Sequence, residues 1–336
     1  MQIIVLKCKQ GSLFRLGNGS LTDVSRIIHS DTLFSAITNI YELVYGAGDE
    51  FINLVENEKI TLSSAFPALE KVETGEFIYF IPKPEILFEQ SEILENRIKY
   101  ISLNVYKKVV ELFNSETVST SINPDQLVYI DNTFCLLKSE AIASEFMFMS
   151  EHTYPKKAVH KASDEDAFYY QTDLQLVPVY DMKGKVCYKP HFYFYIKDTL
   201  TNNEKSRFIT CLRILADEGI GGDRGSGRGL FEDVEIKESE VITESVDHCF
   251  MAMSLVNPAS QDEFDDCIHY DVITRGGGSI GLQNDYEKHR LQVRMITEGS
   301  IFGSEAKGRI VDVSPPKNSY NHSIYRNGKA FVIPIG

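Results

Sequence analysis

The sequence predicts an α+β fold, and three features carry that prediction. Over residues 1–242 strand-like and helix-like segments follow the order strand, helix, strand, insertion, strand, helix, strand, which is that of a split βαβ, ferredoxin-like domain. Between the last helix and the last strand lies a stretch, 219–229, in which six of eleven residues are glycine. A smaller second unit, 243–336, carries its own glycine loop, Arg275-Gly276-Gly277-Gly278-Ser279.

Residues 2–9 alternate Ile4, Leu6 and Cys8 against Ile3, Val5 and Lys7 and read as the first strand. A polar connection over 11–21 carries Arg15. His29-Ser30-Asp31-Thr32-Leu33-Phe34 then opens a helix that runs to about residue 46. Ser30 is its expected N-cap, and Leu33, Ile37, Ile40 and Val44 share one face. The uncovered N–H groups of such an end can hold a phosphate. The same pattern also describes a well-capped structural helix.

Strands are expected at 59–65 and 77–81, after which Pro82-Lys83-Pro84 breaks regular structure. From 82 to 157 no period is sustained beyond a helix at 103–113. The segment reads as an insertion that reaches away from the first core, part of it an arm or hairpin. Phe146-Met147-Phe148-Met149 within it is either a partner-facing cluster or the filling of a core under the insertion.

Residues 155–163 are the most basic short run and include Lys157, His160 and Lys161. Such runs usually form solvated turns. Two strands, 168–180 and 186–197, flank the turn Asp181-Met182-Lys183-Gly184. A helix over 202–217 follows, with Phe208, Cys211, Leu212 and Leu215 on one stripe and Gly219 at its C-cap. Residues 230–236 form the next strand.

The order helix, glycine loop, strand is the reverse of the Rossmann and P-loop arrangements, and no Gly-Lys-Ser/Thr is present. Nucleotide binding of those kinds is disfavoured. Gly221, Gly222, Gly225, Ser226 and Gly227 leave backbone N–H groups uncovered, and Arg224 and Arg228 add forked donors. The loop is suited to cradle an anion, the alternative being a mobile surface loop. In the second unit a strand at 250–255, alternation at 291–296 and a closing hairpin or strand at 324–334 surround Arg275, Gly276 and Gly277.

A net charge of −14 excludes a protein that coats nucleic acid generically, because such binding needs an excess of Lys and Arg. Any nucleic-acid site must be a local basic groove, and an acidic body suits docking to basic subunits. The six cysteines are scattered without Cys-x-x-Cys, and the N-terminus reads as a strand, so a reduced, cytoplasmic protein is expected. No apolar run approaches the roughly 18 residues of a membrane span, so no membrane partner is expected. No metal set, cofactor motif or nucleophile elbow stands out. Asp265-Asp266 lies in an acidic segment and reads as a solvated face.

Three stretches in order resemble one family: His29 to Phe34, the 219–229 loop, and the ending Tyr325-Arg326-Asn327-Gly328-Lys329-Ala330-Phe331 with Ile333-Pro334. The chain resembles the RAMP superfamily, most of all the Cas-five-like subunit of the type III-A CRISPR interference (Csm) assembly. The resemblance implies two ferredoxin-like (RRM-like) domains and no catalysis. It implies binding of the repeat-derived 5′ tag of CRISPR RNA (crRNA), with contacts to the large polymerase-like subunit and to a backbone RAMP subunit. Where family members often carry Asn-x-Val-Asp-Arg, this chain has Lys157-Ala158-Val159-His160-Lys161, which stays basic. The other reading is a metal-independent CRISPR RNA-processing endoribonuclease using His29 or His160.

Overall fold

The computed structural model describes residues 1–17, 20–84, 97–114, 122–141, 146–158, 167–238, 249–279, 288–315 and 322–335. The first unit begins with β1 (Gln2–Cys8) and the short β2 (Leu13–Phe14). Helices α1 (Ser30–Tyr45) and α2 (Gly48–Glu56) lead to β3 (Ile60–Leu62), β4 (Phe66–Lys71) and β5 (Phe77–Pro82). Then come β6 (Tyr100–Ser102), α3 (Leu103–Asn114), β7 (Leu127–Ile130) and β8 (Phe134–Leu137). A ribbon of β9 (Met149–Ala158) and β10 (Ala167–Leu176) precedes β11 (Val179–Tyr180) and the long β12 (Val186–Asp198). Helix α4 (Asn202–Glu218) and β13 (Phe231–Glu238) complete it.

The central sheet runs β13-β1-β12-β4-β5-β6-β8-β7. Its first four strands, with α1 and α4 as crossovers, keep the order expected of the split βαβ unit. Both faces of β1 are apolar, and both are covered. Ile4 and Leu6 pack with α1, α2 and α4. Ile3 and Val5 pack with Met251, Met253, Ile301 and Ile333 of the second unit. Strand alternation thus sends one set to the helices and the other to the second unit.

Within 82–157, the described residues 100–137 do not reach away: β6 pairs with β5, β8 with β6 and β7 with β8, extending the central sheet with α3 packed over it, while 149–157 lie in the β9–β10 ribbon. Phe148 and Met149 are buried, and Phe148 packs against Phe134 and Phe80 with ring centroids 4.8 and 5.7 Å away. Only Met147 of this group is strongly exposed. The strand expected over 168–180 is two strands. Pro178 interrupts the ladder, so that β10 pairs with β9 and β2 while β11 returns to β12.

Helix α4 starts with a capping box: Glu204 N–H donates to Thr201 Oγ1, and Thr201 N–H donates to the Glu204 carboxylate at 2.8 Å. In α1 the cap position falls on His29, one residue before the expected Ser30. Ser30 is the first helical residue and is spent on packing. Its N–H donates to Ser64 Oγ at 2.8 Å, and its Oγ accepts the Leu255 N–H at 3.0 Å.

The second unit comprises β14 (Cys249–Ala252), α5 (Gln261–Asp265), β15 (Cys267–His269), β16 (Val272–Arg275), β17 (Gly278–Ser279) and β18 (Lys288–His289). It continues with β19 (Val293–Ile296), β20 (Ile301–Phe302), β21 (Gly308–Asp312), β22 (Tyr325–Lys329) and β23 (Val332–Ile335). A four-stranded sheet, β15-β20-β14-β23, lies between the central sheet and a small apolar cluster around Val256 and Phe302. β16–β19, β17–β18 and β21–β22 form separate antiparallel pairs.

Candidate nucleic-acid interface

The 219–229 stretch is a loop strapped onto the segment around β2. Gly222 N–H donates to Arg15 O at 2.9 Å and Gly229 N–H to Leu13 O at 2.8 Å, while Ile220 N–H closes on Gly229 O at 3.0 Å. This close approach sets two of the glycines. Gly221 (φ +90°) would place a Cβ 2.5 Å from Arg15 O, and Gly229 (φ +75°) would place one 2.0 Å from Ile220 O. Ser226 and Gly227 N–H groups turn inward to Asp223 O and Arg224 O. The expected open nest is therefore largely closed: several of its amides are used in folding the loop. What faces solvent is the turn 223–227, where a Cβ on Gly225 or Gly227 would meet nothing within 4 Å.

The two loop arginines have different surroundings. Arg228 Nε pairs with Asp173, whose side chain is fully buried. Its Nη2 donates to Tyr154 Oη and its Nη1 to Ser226 Oγ, both at 2.8 Å. Burial pushes the Asp173 carboxyl up, but hydrogen bonds from Arg228, Tyr154 and Gln171 outweigh it and hold the group below its ordinary range. Asp223 is bound in turn by Lys156 and by Gln171 Nε2 at 2.7 Å. Arg228 thus fastens the loop to the β9–β10 ribbon. Arg228→Ala is expected to cost about 2–3 kcal/mol, somewhat below the range for a fully buried pair, because Asp173 loses its cation. Urea denaturation of the chain measures it; a loss under 0.5 kcal/mol would remove the fastening role. Arg224 is exposed and joins no ion pair among the described residues.

Four of the predicted stretches meet in a cleft of about 490 Å³ between the two units. It is lined by Arg15, His29, Thr32, Gly221, Gly222, Arg224, Arg275, Gly276 and Gly277, together with Asp31, Arg290 and Arg326. Five arginines against one carboxylate leave four positive charges on the described charged residues lining it. Arg15 is buried and donates to Thr172 O at 2.6 Å and Ser20 O at 3.0 Å. Arg275 grips Asp31 with Nε and Nη2, each at 3.0 Å, and its Nη2 is also 3.0 Å from Thr32 Oγ1. Arg326 pairs with the same carboxylate and with Gly276 O. Asp31 is fully buried. Burial pushes its carboxyl up, but the two guanidiniums more than reverse this and lower it to about 2.

His29 forms the wall between this cleft and a second one of about 730 Å³. Its Nδ1 lies 2.9 Å from Oε1 of the buried Glu298. In the second cleft Arg26, Lys83 and Lys99 face Asp23, Glu151, Asp271 and Glu298, so the excess of positive charge is confined to the first.

Of the other predicted residues, Ser30 is buried in α1, and Gly225, Ser226, Gly227 and Arg228 lie on the loop outside the cleft lining. Lys157 is exposed on β9, and His160 and Lys161 fall outside the described residues. Sequence reading missed Asp31, Arg290 and Arg326 as part of the site. Asp31 carried a signal, an acid in the first turn of a helix, and Arg326 stands in the closing stretch already singled out. Arg290 has no signal in its surroundings. No group of three or more His, Cys, Asp or Glu is placed for a metal among the described residues, and none of their helices is long and apolar enough to cross a membrane.

Residues 246–335 match the profile of the CRISPR Csm4 C-terminal domain family. A curated protein of Methanocaldococcus jannaschii, "CRISPR system Cms protein Csm4", is 28% identical, and the alignment covers 100% of this chain and 98% of that one. The protein of the same name from Streptococcus thermophilus is 23% identical over 89% and 88% of the two chains. Among solved structures, a chain of the Csm3-Csm4 subcomplex in the type III-A CRISPR-Cas interference complex matches the fold with a TM-score of 0.69, at 24% identity and with 100% of both chains covered. A chain of the Csm1-Csm4 cassette in complex with cA4 matches with a TM-score of 0.55 at 16% identity, over 100% of this chain and 98% of that one. The chain is thus similar to Csm4 proteins over its full length, and its residues 246–335 match the Csm4 C-terminal domain family.

Proposed function

We propose that the chain is a non-catalytic RNA-binding subunit of a type III-A CRISPR effector complex acting in antiviral and anti-plasmid defence. It caps the 5′ repeat-derived tag of crRNA and bridges the large polymerase-like subunit to the backbone subunits. The observation that carries this reading is the inter-unit cleft: four net positive charges on the described charged lining residues of a chain whose total is −14. Single-stranded RNA is held by such local cationic grooves with nearby backbone donors.

Two further observations support it. The similar solved chains belong to a Csm3-Csm4 subcomplex and a Csm1-Csm4 cassette. In addition, the order β13-β1-β12-β4 recurs as β23-β14-β20-β15 in the second unit, which fits two ferredoxin-like domains, the second degenerate, with the short α5 as its helix.

Arg224 is the residue to test, because its guanidinium joins no ion pair among the described residues. Arg224→Ala is expected to leave the melting temperature unchanged and to weaken retention of a 5′-tag RNA. The slope of log affinity against log salt should become shallower by about 0.7, the value for one phosphate on a single strand. Fluorescence anisotropy over a salt series measures both. Unchanged affinity and slope would remove Arg224 from the RNA site. Site-specific cutting of repeat RNA in chelator, abolished by His29→Ala, would overturn the non-catalytic assignment in favour of the endoribonuclease.

A further inference from the structure

We infer that the surface of residues 264–272 docks an extended, lysine- or arginine-bearing segment of a neighbouring protein subunit. The inference rests on the reading above that the chain assembles with protein partners. Phe264, Ile268, Tyr270 and Val272 are exposed by 36, 44, 45 and 49% within nine residues. Single exposed apolar residues are ordinary, but a contiguous group of large ones marks a contact surface. The Phe264 and Tyr270 rings pack edge to face, 5.4 Å apart, so they form one patch. Cys267 packs against the small core cluster, and Ile268, at the register shift between Cys267 and His269, is turned outward.

Backbone chemistry adds to this. β15 is the end strand of its four-stranded sheet, paired on one side with β20. An end strand of this kind can accept a further strand through main-chain hydrogen bonds, with alternate side chains entering pockets.

Charge selects the occupant. Residues 249–274 contain five acids and no lysine or arginine. Glu263 and Asp266 are turned inward to the backbone, Glu263 accepting from Gly308 N–H at 3.0 Å and Asp266 from Ser304 N–H at 2.7 Å. Asp262, Asp265 and Asp271 remain exposed and join no ion pair among the described residues. Such a rim repels RNA phosphates. It also repels a second copy of this chain, whose same edge carries the same charges, a common protection of strand edges. A basic segment of another protein satisfies the apolar patch, the strand edge and the carboxylates together.

The test combines the chain with the large subunit and the backbone subunit of its own complex, each separately. Hydrogen exchange at 264–272 is expected to slow in one of the two complexes. Asp262→Lys, Asp265→Lys and Asp271→Lys together are expected to weaken that complex at least about tenfold. The melting temperature and the Arg224-dependent retention of RNA should stay as in the unmodified chain. Equal exchange in the free and bound chain, with unchanged affinity of the triple variant for both subunits, would overturn the inference. If the unmodified chain binds neither subunit, the assembly reading itself has failed and this inference falls with it. If the triple variant melts early, the exchange footprint of the unmodified chain decides alone.

Discussion

Asp31→Ala is expected to lower the unfolding free energy of the chain by about 3–5 kcal/mol, the range for removing one partner of a buried ion pair. Asp31 is fully buried in the first turn of α1, and Arg275 and Arg326 reach it from the second unit. Removing the carboxylate leaves two guanidiniums facing each other at the seam between the units. The pH dependence follows from the direction of the shift. Asp31 is lowered from an ordinary value of 3.8 to about 2 by the two arginines, against the opposing effect of burial. Its contribution is therefore present above about pH 4 and is lost as the pH falls toward 2, where the folded chain takes up the proton that the unfolded chain already holds. Urea denaturation between pH 2 and 7 measures both effects. Asp31→Asn should lack this part of the acid dependence. A variant as stable as the unmodified chain at pH 7 would show that the cluster does not hold the units together.

Phe148→Ala is expected to cost about 3–5 kcal/mol, as for other fully buried aromatic side chains. The ring lies between Phe80 of β5 and Phe134 of β8, with 1% of its surface exposed, so its removal opens a cavity where the inserted strands join the original sheet. Met147→Ala, one residue away and 52% exposed, should change stability by no more than about 0.5 kcal/mol. Denaturant midpoints of the two variants make the comparison. If Phe148→Ala melts with the unmodified chain but fails to join a neighbouring subunit, the residue belongs to a contact arm and not to the core.

These two residues also mark where sequence reading stops. The apolar stripe of α4, its glycine end, and the alternation of β1 are local properties of three to eleven residues. They were legible because a period of 3.6 or 2 survives whatever packs against it. Phe146-Met147-Phe148-Met149 has no such period, since each strand residue there answers to a neighbour distant in sequence. The insertion therefore read as an arm, although its strands β6, β7 and β8 extend the central sheet. Pro178 was visible, but its consequence, sending β10 to one sheet and β11 to another, depends on which edges are open.

For the site, residue type and chain order by themselves determined that glycine loops and arginines occur in two units, that any basic groove must be local, and which family the chain resembles. Only the tertiary structure decided which arginines face the cleft and what each one does there. Arg224 and Arg228 are four residues apart and alike in sequence, yet one is exposed and the other is held by Asp173, whose position is set by pairing across β9 and β10. Arg275 and Arg326 meet Asp31 from 244 and 295 residues away. The physical reason is that a charge's role depends on the distance to its partner and on the water excluded around both. Packing of the second unit on the central sheet sets both quantities.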